Sequence, residues 1–127
     1  MKPHHLFGAA AMALILANSA TAHHSFAMFD QTKTLTLNGT VKSWQWTNPH
    51  TWLVVTVKDD KGEVQEWNIE GQSPSVLRGE QGYSRDIMKP GDKVIVRIHP
   101  RGDGTLGGSL MGVSDSSGKA LNQPAQN

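Results

Sequence analysis

Short segments of period-two hydrophobicity constrain the fold of this chain most. Five segments alternate apolar and polar residues or are apolar throughout, and each lies next to Gly, Pro, Asn or Asp. Such segments predict β-strands, because successive side chains of a strand point to opposite faces of a sheet. The predicted strands are residues 34–46, 51–58, 63–70, 93–99 and about 108–114. Because the chain has no cysteine, its core alone must stabilise the folded state.

The first predicted strand changes phase part-way along its length. Leu35, Leu37 and Val41 share one face and are expected inside. Trp44 continues the apolar pattern at the opposite parity. Since a slip of one residue moves side chains to the other face, we expect one long bent strand with a bulge near Ser43.

The segment between the third and fourth strands predicts a helix. Ser73 is a good N-cap and Pro74 suits the first helical position, so a short helix from about 74 to 79 is expected. The order of elements predicts an all-β fold, a small five-stranded OB-like barrel with one short helix between strands 3 and 4. A small open sandwich or another five-stranded barrel stays an alternative, because periodicity does not give the strand order.

The first 22 residues have the features of a secretory signal peptide. Lys2 precedes an apolar stretch at 6–17, and Ala20, Thr21 and Ala22 form a small-x-small cleavage pattern. The apolar stretch is too short to span a bilayer comfortably, which favours a cleaved signal over an uncleaved anchor. We expect a periplasmic or secreted protein with no membrane span after cleavage. The predicted organisation is a signal peptide at 1–22, an N-terminal arm at 23–33, the OB-like domain at 34–114 and a flexible tail at 115–127.

Charge and motifs narrow the expected function. Without Lys2, 11 Lys and Arg balance 11 Asp and Glu. A neutral domain lacks the positive footprint that binds a nucleic-acid backbone, so the expected partner is an unknown periplasmic protein or a small ligand. The sequence contains no G-x-S-x-G, H-E-x-x-H or P-loop motif, which favours a non-enzymatic function.

Four histidines follow the predicted signal peptide. Cleavage after residue 22 makes His23 the first residue, and its α-amino nitrogen and ring Nδ1 can then chelate one metal ion. All-nitrogen ligation favours Cu(II), and the α-amino group loses its proton near neutral pH at little cost. His50, in a proline-constrained turn, is the preferred third ligand and His99 the second choice, whereas His24 points away from His23 in an extended arm. The alternative is that the first two histidines are linker and that His50 bonds a backbone carbonyl.

Three of the four tryptophans surround the "TNPH" turn. Trp44, Trp46 and Trp52 form either an exposed surface for a ligand or partner, or plugs for the barrel and its end. The second interpretation is favoured, because a small domain without cysteine needs large apolar side chains in its core.

Four segments together resemble a known family. "AHHSFAMFD", "GTVKSWQWTNPHTWL", "SPSVLRG" and "MKPGDKV" are similar to a bacterial family of small secreted proteins described only as a domain of unknown function. The resemblance covers nearly all of residues 22–114 and implies a periplasmic or secreted β-barrel, without an activity or catalytic residues. A His-His-Ser-Phe start and an Asn-Pro-His turn recur in that family. The matching residues here are His23, His24, Asn48, Pro49 and His50.

The most specific functional expectation is a non-enzymatic periplasmic binding domain that binds copper through His23 and His50. The alternative is a protein-binding or small-ligand-binding barrel that uses its Trp-rich surface and has structural histidines.

Overall fold

A computed structural model describes residues 27–122 as a five-stranded β-barrel with one helix. The elements are β1 Leu35–Gln45, β2 Trp52–Lys58, β3 Val64–Glu70, α1 Pro74–Gln81, β4 Lys93–Pro100 and β5 Gly107–Asp115. The barrel closes in the order β1-β2-β3-β5-β4; β3 and β5 are parallel, and the other neighbours are antiparallel. The predicted all-β fold, with its helix between strands 3 and 4, is confirmed.

The bend of β1 lies where the phase slip predicts it. Val41 pairs with Val55 and Ser43 with Val54, so one extra residue separates the two pairs as a β-bulge. Before the bulge Leu37 and Val41 are buried, and after it the parity of the inward positions changes.

Leu35 is the exception to the prediction for β1. It was expected inside, but it is 37 % exposed. The reason is its position at the start of the strand, where β1 pairs with Ile98 of β4 but has not yet reached β2, whose pairing begins at Thr40.

Apolar side chains from every strand fill the barrel. Val94, Val96 and Ile98 of β4 alternate inward as predicted, and each is at most 3 % exposed. Gly39 allows β1 to cross close to β2, because a Cβ at this position would lie 2.8 Å from the carbonyl oxygen of Thr56. The largest fully buried side chains are Leu53, Ile69, Leu77, Ile98, Val55, Val96 and Val113.

Helix α1 begins at Pro74, as expected, and ends two residues later than predicted. The Ser73 hydroxyl accepts a hydrogen bond from the Val76 amide, and Gly82 ends the helix with φ of 71°. Leu77 of the helix and Tyr83 just after it are buried in the core cluster. Within residues 27–122, no helix has the length and hydropathy needed to cross a membrane.

The first part of the predicted flexible tail packs on the barrel. Ser114 forms a bridge with Ala120, and the Leu121 amide donates to the carbonyl oxygen of Val113 over 3.0 Å. The Asn122 side chain donates to the Gln81 carbonyl over 2.8 Å. Residues 115–122 therefore form a turn that returns along β5, and the flexibility of the tail stays a prediction. Residues 123–127 lie outside the described part.

Candidate functional site

The turn between β1 and β2 holds His50 on a fixed backbone. The Asn48–Pro49 peptide bond is cis, and the Thr47 hydroxyl donates to the His50 carbonyl over 2.8 Å. Thr51 is fully buried, and its hydroxyl donates to the Gln72 carbonyl over 2.9 Å. The Thr47 bond closes the turn, and the Thr51 bond ties it to the segment that follows β3.

The His50 ring is oriented through its Nδ1 atom. Nδ1 lies 3.2 Å from the carbonyl oxygen of Gly71 and 3.3 Å from Oε1 of Glu70. Because both oxygens accept hydrogen bonds, a neutral ring carries its proton on Nδ1 and keeps a lone pair on Nε2. The side chain of His50 is 37 % exposed, so the ring is accessible from solvent.

Glu70 is the acidic neighbour of this ring. Its side chain is 14 % exposed, and in the sheet Glu70 lies opposite Trp52 of β2 and Ser109 of β5. Histidines that bind metals commonly donate their second ring N–H to a carboxylate or a backbone carbonyl, which fixes the tautomer and orientation. The contact between His50 and Glu70 has this arrangement.

His99 lies apart from His50. Its Nδ1 is 2.8 Å from the carbonyl oxygen of Lys33, so a neutral His99 also keeps its lone pair on Nε2. His99 and Glu70 pair with Ser109 from opposite sides. β5 therefore lies between His99 and Glu70, at a separation of about 10 Å for two strand spacings.

The N-terminal arm is anchored on the loop that joins β4 and β5. The Asp30 amide donates to the Pro100 carbonyl over 2.8 Å, and the Gly102 amide donates to the Met28 carbonyl over 2.9 Å. Phe29 is buried and forms an isolated β-bridge with Arg101. His23 and His24 lie outside the described residues.

The described residues do not form a metal site by themselves. Within residues 27–122, no group of three or more His, Cys, Asp or Glu side chains is placed to hold a metal ion. His50 and Glu70 form an acid–imidazole pair in this region.

The tryptophans do not form one surface. The Trp44 indole N–H donates to the Ser84 carbonyl over 3.0 Å, and its ring lies 5.7 Å from Trp46 and 6.4 Å from Tyr83. Trp44 and Trp46 pack against the buried core, and the Arg78 guanidinium lies 5.7 Å from the centre of the Trp46 ring. Trp52 instead shares the outer face of β2 and β3 with Glu70.

Sequence reasoning missed a second surface feature, an open groove of about 540 Å³ beside the middle of β1. Lys58, at the end of β2, and Lys93, at the start of β4, both line it. The alternation of the two strands, which places both lysines on the outer face, was the available indication in the sequence. Their closeness follows from strand pairing, which periodicity does not give.

Comparison with known families identifies the chain. A family described as being of unknown function, DUF6152, matches residues 11–110. The chain belongs to the DUF6152 family. The DUF6152 match covers the turn with His50 and the first four strands, and it confirms the expected domain of unknown function. Secretion and the recurrence of a His-His-Ser-Phe start among DUF6152 proteins stay predictions.

Other comparisons of this DUF6152 protein find little. No curated protein matches the chain. Among solved structures, the chain is similar to the mitochondrial single-stranded DNA binding protein Rim1 from S. cerevisiae, with 14% sequence identity and a TM-score of 0.46. That similarity covers 65% of this chain and 92% of the other. It is too distant to bear on function.

Proposed function

We propose that this protein is a non-enzymatic binding domain of the periplasm, or a secreted one, and that it binds Cu(II) through His23 and His50. The observation that supports the proposal is the orientation of the His50 ring. Its Nδ1 faces the Gly71 carbonyl and the Glu70 carboxylate, which leaves Nε2 as the nitrogen available to a metal.

The proposed donor set contains three nitrogens. Cleavage after residue 22 supplies the α-amino group and Nδ1 of His23, and Nε2 of His50 supplies the third. Nitrogen ligands of this kind favour Cu(II) among the divalent metals of the first transition row. The Glu70 carboxylate holds the His50 ring and adds negative charge near the cation.

Strand pairing connects the anchored arm to the strand that carries Glu70. Residues 28–30 attach to the loop after β4, and the Arg101 amide of that loop donates to the Gly107 carbonyl. Gly107 pairs with Asn68, two residues before Glu70. Three strand spacings, about 14 Å, separate the arm from β3, and the four residues from Ala27 to His23 span at most about 14 Å, so the proposed site requires these residues to be nearly fully extended.

The test compares the chain beginning at His23 with the same chain acetylated at its α-amino group. Acetylation keeps every side chain and removes only the amine of the terminal chelate. We expect copper affinity to fall at least about tenfold, a difference of about 1.4 kcal/mol. Equal affinity in both chains would show that the terminal amine takes no part.

Three substitutions separate the ligands. His50→Ala should lower copper affinity by a further factor of about ten or more, and Glu70→Gln by a factor of about ten to one hundred. His99→Ala is the matched control, because β5 lies between His99 and Glu70, and it should leave the affinity unchanged. The affinity should also fall between about pH 7 and pH 5, since protons compete for the same nitrogens.

A second candidate function is the binding of a protein or small ligand at the outer face near Trp52. The observation that favours it is the position of Trp52, which is half-buried on the outer face while Trp44 and Trp46 pack on the core. If the exported protein does not begin at His23, as a mass measurement would show, the copper proposal fails and this candidate replaces it.

A further inference from the structure

The groove beside β1 lies on the outer face of three neighbouring strands. Thr40 of β1 pairs with both Thr56 of β2 and Lys93 of β4. Cross-strand partners point to the same face, so these side chains share one side of the sheet. The cavity volume of about 540 Å³ falls within the range of small-molecule sites.

The charge in the groove is positive. Lys58 and Lys93 line it, and no acidic residue does so among the described ones. The ion pairs formed within residues 27–122 use Lys33, Lys42 and His50, so neither groove lysine has a carboxylate within 4.0 Å there.

Two acidic residues close to the groove have partners of their own. Glu66 pairs with Thr56 across the sheet, and its carboxylate binds the Lys42 ammonium group. Asp115 pairs with Val94, but its carboxylate accepts hydrogen bonds from the amides of its own turn, including those of residues 117 and 119. In the described part of the chain, neither carboxylate forms an ion pair with a groove lysine, and neither do those of Asp59, Glu63 and Asp92, which flank lining residues in the sequence.

The two lysines are placed to act on one ligand. Lys93 is level with Thr40, and the register continued past Thr56 puts Lys58 level with Asn38. Two strand spacings and two residues separate their Cα atoms by roughly 12 Å on a flat sheet. Two extended Lys side chains can bridge this distance, and the Asn38 amide lies between them among the lining groups.

An apolar surface adjoins the charged one. Val64, which pairs with Lys58, is 64 % exposed, and Ile95 is only half-buried. Both side chains line the groove. A ligand with an apolar body would remove them from water, a favourable change.

We propose that this groove binds a small organic anion with an apolar body, of the short fatty-carboxylate class. The carboxylate lies between Lys58 and Lys93, and the aliphatic body covers Val64 and Ile95. This inference does not depend on copper binding, because it uses the middle of β1 and the end of β2 rather than the turn with His50.

Sodium octanoate is the probe for the first test, in calorimetry and in NMR titration of the exported protein. We expect amide shifts at residues 38, 64 and 95, and an affinity at least tenfold lower in the Lys58→Gln/Lys93→Gln variant. Lys61→Gln/Lys89→Gln is the matched control, since it removes the same charge from lysines outside the groove. Equal affinity in the groove variant and the control would overturn the proposal.

Two further arms test the ligand class. Octanamide, which has the same body without the charge, should bind at least tenfold more weakly, and equal binding would exclude a role for the lysines. Inorganic phosphate should displace octanoate only at much higher concentration. Displacement at equal concentration would show that the groove binds anions without regard to an apolar body, and would overturn the proposed contact with Val64 and Ile95.

Val64→Asp tests the apolar wall without disturbing the core. Val64 is exposed, so the variant should fold, as its near-ultraviolet circular dichroism would show. Octanoate binding should fall at least tenfold, because the new carboxylate repels the ligand and replaces an apolar contact. Unchanged binding would contradict the placement of the aliphatic body.

Discussion

Trp44 and His50 flank the same turn, six positions apart, and the structure gives them opposite roles. The polar atom of Trp44 is bonded to the Ser84 carbonyl, and its ring packs near Tyr83. The His50 ring uses only Nδ1 for its polar contacts within residues 27–122, so Nε2 has no hydrogen-bond partner there. The comparison shows that hydrogen bonding distinguishes the two roles better than residue type does. A side chain whose polar atom already has a partner is structural, and one with a polar atom left over is a candidate ligand.

The bulge in β1 is the physical cause of the difference. The extra residue before Ser43 changes the parity, and Trp44 then pairs with the buried Leu53. The turn that follows is tied through Thr51 to the segment after β3, which places His50 beside Glu70. A shift of one residue thus moves an indole ring onto the core.

The largest expected effect tests the structural role of Trp44. Trp44→Ala should lower the free energy of unfolding by about 3 kcal/mol, the low end of the range for tryptophan truncation because the ring is half-buried. Trp52→Ala should cost clearly less, since Trp52 is not among the side chains that pack on the core. Denaturant unfolding followed by circular dichroism measures both. Similar losses would contradict the separate roles of the two rings.

Tyr83, which packs beside Trp44, gives a pH-dependent test of the same end of the barrel. Burial raises the pKa of the Tyr83 phenol above its ordinary value. Ionisation therefore favours the unfolded state, and the stability that the neutral phenol provides is lost as pH rises above about 10. The free energy of unfolding of Tyr83→Phe should therefore fall less than that of the original protein as the pH rises above about 10.

Absorbance of tyrosinate provides the direct measurement for this residue. Tyr83 is the only tyrosine of the chain, so the signal reports one group. The titration midpoint of the folded protein should lie above that of the protein in denaturant. A midpoint that does not change on unfolding would contradict the burial of the ring.

The smallest expected effect tests whether His50 contributes to stability. His50→Ala removes the contacts of Nδ1 but leaves the turn tied by Thr47 and Thr51, so it should change the free energy of unfolding by no more than about 1 kcal/mol. Denaturant unfolding without metal measures this change. A loss as large as that of Trp44→Ala would identify His50 as a structural residue.

The sequence predicted those features that depend on neighbouring residues. Alternation gave the inward positions of β4, the phase slip gave the bulge near Ser43, and Ser73 with Pro74 gave the start of α1. The exposure of Leu35 was not predictable in this way, because it depends on which strand flanks β1 at that point.

The candidate sites were predictable only in part. His50 was found from its constrained turn, but its contact with Glu70 joins residues twenty positions apart through the pairing of β2 and β3. The groove lysines come together through three strands, and the return of residues 115–122 along β5 depends on long-range hydrogen bonds. Periodicity carries no information about such pairings.

Electron paramagnetic resonance of one equivalent of Cu(II) on the chain that begins at His23 tests the central claim most directly. Nitrogen hyperfine structure reports how many nitrogens bind the metal. The account predicts three coordinating nitrogens in the original protein and two in His50→Ala, with the His99→Ala spectrum equal to the original. Identical spectra for the original protein and His50→Ala would show that His50 is not a ligand and would contradict the proposed site.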